Sequence, residues 1–473
     1  MMSTVRAWIA VGFVALTFSV APLAKAETLS QALVDAYEHS GLLEQNRALL
    51  RAADEDVAQI VSSLRPILNW SSDITRDFGE GTTAQGDFTV GSTNFGLAVT
   101  LDLLIYDFGQ TQFQLDAAKE TVLATRQALV SIEQQILLRA VSAFFNVRRS
   151  TEFVDLRRNN LRVLNEELRA AQDRFEVGEV TRTDVAQAEA RVASARSGLA
   201  VAERDLTQSI EEFRGAVGRA PGVLETTSRL PNLSADVNAA KDIANRNHPD
   251  IRQAQREVAA ADLTVFAAEA AMRPSLNLTS RYGITEEIGE SIDSATGSLG
   301  LSISGPIYQG GLLSSAKRQA IAQRDASRGN LHEVIHDIAQ DVGDSYAILS
   351  ASRAVQTSSR EEVRAAQVAF DGVREEATLG ARTTLDVLDA EQDLLDARTN
   401  QVAADIDVSI ASYSVLASIG QLTAKDLNLP VQIYDPAAYY NLVKNAPVSI
   451  SPQGQQLDRV LEAIGKSTQQ RQH

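Results

Sequence analysis

Residues 177–184 read VGEVTRTD, and residues 379–386, 202 positions further on, read LGARTTLD. Each sets a glycine behind a long run without proline and closes on threonines and an aspartate, the pattern of a turn followed by a helix start. A turn repeated at a fixed offset indicates a duplicated architecture. Other segments agree. Arg51-Ala52-Ala53-Asp54 returns as Ala259-Ala260-Ala261-Asp262, and Leu64-Arg65-Pro66-Ile67-Leu68-Asn69 as Met272-Arg273-Pro274-Ser275-Leu276-Asn277, both 208 positions on. Ile105-Tyr106 before Gly109 returns as Ile307-Tyr308 before Gly311 at 202. Two structural repeats are expected, 27–232 and 233–425, with a tail over 426–473.

Each repeat changes its periodicity along its length. Leu68, Trp70, Ile74 and Phe78 alternate with polar neighbours, as do Phe95, Leu97, Val99, Leu101 and Leu103. A period of two predicts strands over about 67–78 and 88–106. The second repeat offers the same over about 275–285 and 297–308. Trp70, Tyr106, Tyr282 and Tyr308 lie near strand ends, as in the aromatic girdles of an outer-membrane barrel. Four strands are too few to close a barrel, since the smallest have about eight. An open edge cannot face lipid either, because its backbone groups stay unpaired there. Several chains must pool their strands, and three copies in a ring would supply twelve. A small periplasmic sheet is the plainer alternative.

Between the strand pairs the period becomes seven. Val185, Val192, Leu199, Leu206 and Phe213 form one seam line, with Ala188, Ala195, Ala202, Ser209 and Ala216 beside it. Val387, Leu394, Gln401, Val408 and Val415 repeat it, with Ala390, Ala397, Ala404, Ala411 and Ser418. Sustained heptads with a small residue in the seam predict closely packed antiparallel coiled-coil helices. No proline interrupts Ile67–Ala220 or Ile307–Leu429. A single helix over Gln110–Val177 would be roughly 100 Å long. A return helix over Asp184–Val217 covers half of that, and a helix over Leu42–Leu64 stacked end to end with it would restore the balance. The fold class is mainly α with a β-barrel contribution.

Composition sets the compartment. Arg6, an apolar run from Ala7 to Val20 and Ala24-Lys25-Ala26 form a secretory signal over 1–26 with a small-x-small cleavage site. Its loss removes two cations and takes the formal charge from −17 to −19, which argues against nucleic acid as a partner. The chain has no cysteine, so neither disulfides nor a cysteine-linked lipid anchor are available. After the signal no apolar run reaches the roughly 20 residues of a spanning helix.

The order strand pair, long helix, turn and return helix, twice over, resembles the TolC family of outer-membrane efflux and type I secretion ducts. The residues carrying the resemblance are Phe175–Val185, Ala188-Glu189-Ala190-Arg191 and Leu379–Ala390. It covers nearly all of the mature chain up to about Leu429. The first turn looks most like members serving type I protein secretion. The resemblance implies a homotrimer with a twelve-stranded barrel in outer-membrane lipid above a periplasmic tunnel of twelve-helix section. It implies that Val177, Gly178, Glu179, Leu379, Gly380 and Ala381 form tips where a periplasmic adaptor docks. An inner-membrane ABC or proton-driven transporter supplies the energy, since the chain has no Walker loop. It also implies a latch in which Arg382 ties the second tip to Thr183 and Asp184, and a pore constriction ringed by Asp386 and Asp389. In the best-known member of that family a tyrosine that joins the latch would fall at Ala377, so the lock implied here is simpler; Arg182 on the opposite turn could add a tie. The tail is expected to wrap the equatorial belt in part, with its last twenty or so residues mobile.

Asp386 and Asp389, at i and i+3, share a helix face. A first-turn acid complements the helix dipole, and Thr383 or Thr384 can cap. That accounts for Asp386 better than for Asp389. Around a threefold axis the pair becomes six carboxylates, which select cations and raise one another's pKa. No cofactor, metal or catalytic residue is expected. One rival is a zinc metallopeptidase, from His332-Glu333-Val334-Ile335-His336, an HExxH pattern. It lies inside a heptad-bearing helix, its counterpart Val130-Ser131-Ile132-Glu133-Gln134 has no histidine, and such an enzyme needs a third ligand beside a cleft. The remaining histidines, His39, His248 and His473, are isolated in sequence. A second rival, a coiled-coil surface protein without a lumen, would not want a polar alternate face on its strands.

Overall fold

The computed structural model describes residues 26–83, 86–226, 230–289 and 293–470. The expected signal segment lies outside them apart from Ala26. The elements are α1 (Leu29–His39), α2 (Gly41–Ser63), β1 (Ile67–Thr83), β2 (Gly86–Tyr106), α3 (Gln110–Glu176), α4 (Arg182–Val217), α5 (Val237–Asn247), α6 (Pro249–Ala270), β3 (Ser275–Glu287), β4 (Asp293–Ser304), α7 (Leu312–Thr378), α8 (Thr384–Ser418), α9 (Ala438–Val443) and α10 (Pro452–Gln470).

The strands form one antiparallel sheet in the order β1-β2-β3-β4, so the central pairing joins the two repeats. Its register stacks the apolar residues on one face. Trp70 lies opposite Val99 and Leu68 opposite Leu101; Val99 lies opposite Tyr282 and Leu97 opposite Ile284; Leu278 lies opposite Leu301. The other face aligns Asn69 with Thr100, Thr100 with Arg281, and Arg281 with Ser298. A one-residue slip would mix the two faces, so the register is fixed by what each faces. The apolar face is bare: Trp70, Phe78, Leu299 and Ile303 are each at least three-quarters exposed. Strand ends differ from the alternation. β1 continues five residues past Phe78 because its backbone keeps pairing with β2 through Thr83 and Gly86. β4 stops at Ser304, short of the expected end near 308, since Pro306 has no N–H to give a ladder.

At the strand–helix joint the Asp107 carboxylate accepts from the N–H groups of Gly109 and Thr111, at 3.0 and 2.7 Å, and starts α3. α3 and α7 each run 67 residues, roughly 100 Å. α4 packs on α3 and α8 on α7, while α8 also lies against α3. The small seam residues are buried as the heptads require, with Ala188, Ala195, Ala397 and Ala404 inside. α2 also packs on α3, and α6 packs on both α3 and α7. These shorter helices meet the ends of the return helices. At one junction Gly218, which ends α4, faces His39 just before α2; at the other Gly420, which follows α8, lies against His248 and Pro249 at the start of α6. A Cβ on Gly420 would come within 2.9 Å of the His248 backbone, and its φ of +77° suits glycine. So each long helix is matched by two helices in line.

The thickest core lies at these junctions. Phe144, Phe145, Phe213, Leu50, Leu137, Ile251 and Leu422 are essentially buried there, with Phe144 edge-on to Phe145 at 5.5 Å. α1, α5 and the tail form the surrounding belt. Over its last part the tail forms α10. Ser451 accepts from the Gly454 N–H at 3.0 Å to cap it, Pro452 sits at its first turn, and Leu457 is buried against Ala58, Tyr439 and Val443.

The bare apolar face predicts asymmetric tolerance on β4. Leu301→Arg should lower unfolding stability in lipid by about 2–4 kcal/mol. Ser302→Arg, on the polar face, should change it by about 0.5 kcal/mol or less. Urea titration of lipid-refolded protein reads both, and equal losses would remove the assignment of faces.

Candidate pore constriction at the helix tips

The two tips are built alike. α3 ends at Val177 with Gly178 at φ +81°, and the Glu179 N–H reaches back to the Arg174 carbonyl at 2.9 Å. α7 ends at Leu379 with Gly380 at φ +76°, and the Ala381 N–H reaches the Glu376 carbonyl at 2.9 Å. Both are glycine C-caps that satisfy the last carbonyls of the helix. Each return helix then opens with a capping box: Asp184 Oδ2 accepts from the Thr181 N–H at 2.8 Å, and Asp386 Oδ2 from the Thr383 N–H at 2.9 Å. Thr383, not Thr384, is the cap. Because Thr181 caps the first return helix, α4 begins at Arg182, two residues before the expected start. The tip loops are open to solvent, Val177 at 72% and Leu379 at 79% exposure.

The charges fall into place from these caps. The bonds from Thr383, with Arg382 adding its charge, hold the Asp386 carboxyl below the usual carboxylate range. The bonds from Thr181 do the same for Asp184. The raised pKa expected of crowded carboxylates is therefore not a property of Asp386 within one chain, since the capping box stabilises its ionised form. Arg382 turns back within its own tip, Nε to Glu376 Oε2 at 2.8 Å. It does not touch Thr183 or Asp184, so the expected latch is not made inside a single chain. Thr183 is exposed, and Arg182 has no ion pair among the described residues. Asp389 is engaged with α4: Arg191 Nη2 meets its Oδ1 at 2.5 Å. That tie accounts for the second acid and joins the two hairpins.

Below the tips, Leu388 of α8 packs with Leu164, Ala171, Ala188 and Val192 of the first hairpin. Asn160 of α3 donates to Glu391 of α8 at 3.2 Å, and burial raises that carboxyl above its ordinary range. Ala377 is buried against Phe370, Val387 and Leu394, so that position is filled by packing inside the α7–α8 hairpin. Sequence reasoning missed Glu376 and missed the partnership of Arg191 with Asp389. The second needs α4 and α8 to be neighbours, which no local pattern reveals.

The HEVIH segment lies on the exposed side of α7. His332 and His336 bring their Nε2 atoms within 3.1 Å, but among the described residues no three His, Cys, Asp or Glu side chains are placed to hold a metal. The third ligand that a metallopeptidase requires is absent there.

Comparison with known proteins agrees with this geometry. The profile of the family described as "Outer membrane efflux protein" matches residues 32–219 and 242–421. The outer membrane efflux protein BepC of Brucella suis biovar 1 is 36% identical over 424 residues, covering 89% of this chain and 91% of BepC. Outer membrane protein TolC of Escherichia coli K12 is 25% identical over 423 residues, covering 86% and 84%. Among solved structures, the Campylobacter jejuni CmeC outer membrane channel superposes with a TM-score of 0.75 at 16% identity, covering 89% of this chain and 90% of that one. With its tandem hairpins, its shared sheet and this breadth of similarity, the chain belongs to the outer membrane efflux protein family, the TolC-like channels of the outer membrane.

Proposed function

We propose that this protein is the exit duct of a tripartite efflux or type I secretion system, assembled as a homotrimer and opened at its helix tips. The observation that carries the reading is the four-stranded sheet with one bare apolar face and free edges on β1 and β4. In hydrocarbon each unpaired backbone group costs several kcal/mol, so both edges must find strands of neighbouring copies. Three copies supply twelve strands and close the ring. The apolar face then meets lipid, and the face bearing Asn69, Thr100 and Arg281 lines a wet passage.

At the other end, the exposed Val177 and Leu379, with Gly178, Glu179, Gly380 and Ala381, present the two tips to the hairpin of a periplasmic adaptor. The inner-membrane transporter on that adaptor, of ABC or proton-driven type, supplies the energy. Asp386 and Asp389 from each copy make an acidic constriction that favours cations. Two ties hold it narrow within each chain, Arg191 to Asp389 and Arg382 to Glu376. Arg382 exchanges Glu376 for Thr183 and Asp184 of an adjoining hairpin when the copies assemble, and opening moves the α7–α8 hairpin away from α4.

The double change Asp386→Asn with Asp389→Asn should lower cation preference in planar-bilayer recording while the trimer still forms; unchanged selectivity removes both acids from the pore. Arg382→Ser and Arg191→Ser should each raise the open fraction roughly twofold, as befits exposed ion pairs. Unaltered conductance in both variants would refute the latch.

A further inference from the structure

The repeats place the same ion pair at the same point and treat it differently. Asp54 on α2 corresponds to Asp262 on α6, and Arg126 on α3 corresponds, 202 positions on, to Arg328 on α7. In the second repeat Arg328 Nη2 donates to Asp262 Oδ1 at 3.0 Å, with Arg324 Nε at 3.9 Å from the same oxygen. In the first repeat the place of Arg324 is taken by Val122. Asp54 is fully buried, and neither of its carboxylate oxygens has a hydrogen-bond partner. The buried Nε of Arg126 has none either. The Arg126 guanidinium lies instead over the ring of Tyr440, 5.4 Å from its centre.

Tyr440 belongs to α9, in the tail that has no counterpart in the other repeat. The tail is clamped on α2 around this point. Tyr439 Oη donates to Glu55 Oε1 at 2.6 Å, Arg47 lies over the Tyr434 ring at 5.1 Å, and Arg65 donates to the carbonyls of Asn445 and Ala446. The symmetry of the repeats is thus broken where the tail sits, and the arginine has left the aspartate for the tail's tyrosine.

We propose that Arg126 is a two-position switch that couples seating of the C-terminal tail to the charge on Asp54. With the tail seated, Arg126 is held over Tyr440 and acts on Asp54 only through its charge, without a hydrogen bond. With the tail lifted, Arg126 returns to Asp54 in the arrangement that Arg328 and Asp262 keep. An ionised carboxylate buried without a partner is costly, whereas its neutral acid is tolerated. The seated state therefore favours protonated Asp54, and the lifted state favours the ion pair.

Charged and phenolic groups of both signs surround Asp54, and burial outweighs them. Arg47, Arg51 and Glu55 come from its own helix, Arg126 from α3, and Tyr434, Tyr439 and Tyr440 from the tail. Burial pushes the Asp54 carboxyl up to about 6, with Arg126 opposing and Glu55 reinforcing. In the lifted state its pairing with Arg126 favours the ionised form and returns it to the ordinary carboxylate range or below. Seating is then strongest below that range and weakens as the pH rises through about 6. Between pH 5 and pH 7.5 this difference gives about a tenfold loss in the seating constant.

Amide hydrogen exchange over residues 434–446 in the full-length protein, corrected for the intrinsic rate, tests the switch. Wild-type protection should be about tenfold lower at pH 7.5 than at pH 5. Asp54→Asn, which cannot ionise, should show no pH dependence, with protection at both values no lower than that of wild type at pH 5. Tyr440→Leu should release Arg126 to Asp54, giving a loosened tail with little pH dependence, and it carries the test should Asp54→Asn fail to fold. Equal wild-type protection at the two pH values overturns the proposal, and so does a tenfold dependence that survives either substitution.

Discussion

Unpaired backbone at the two sides of a four-stranded sheet is the constraint from which the rest follows. In water such edges are merely adhesive, but in hydrocarbon they are untenable. A sheet whose apolar face is continuous across both repeats, with β2 and β3 paired at its centre, has no second layer among the described residues to cover it. In the assembly proposed above, lipid covers that face and further copies pair its edges. The helices obey the same logic. α3 lies between partners and buries residues along much of its length, while α7 buries few, as befits a helix at the rim of an incomplete wall.

The tips show how one local device serves two ends. A glycine in the left-handed region and a threonine–aspartate capping box turn the chain through half a circle and satisfy the backbone at both helix ends. The same box favours the ionised form of Asp386, so a carboxylate needed for capping is also a fixed negative charge at the helix tip. Asp389 has no capping duty; its charge is balanced by Arg191 across the gap between hairpins. One acid thus belongs to the turn and the other to the contact that a moving hairpin would have to break.

Much of this was legible in the residues. The span of α3 follows from the absence of proline and the glycines that bound it, and its observed ends lie within a residue of those expected. The capping boxes were readable because their chemistry is local. Strand ends were less so: Gly79-Glu80-Gly81-Thr82-Thr83 carry no alternation, and their pairing is decided by the partner strand. The ties of Arg382 and Arg191 were illegible for a related reason. Arg382 has several acids within reach along its own turn, and Arg191 depends on which helices become neighbours.

The matched lengths of the long helices carry an evolutionary consequence. α3 and α7 have equal numbers of residues, and α4 and α8 differ by one. Both hairpins hang from the same sheet and must finish level to make a single mouth. An insertion of one heptad in each arm of either hairpin would leave its tip about 10 Å out of plane with its twin. Changes in reach across the periplasm are therefore expected to arise in pairs, one in each half of the gene, so that the length of this family's ducts evolves by compensated steps and not by single insertions.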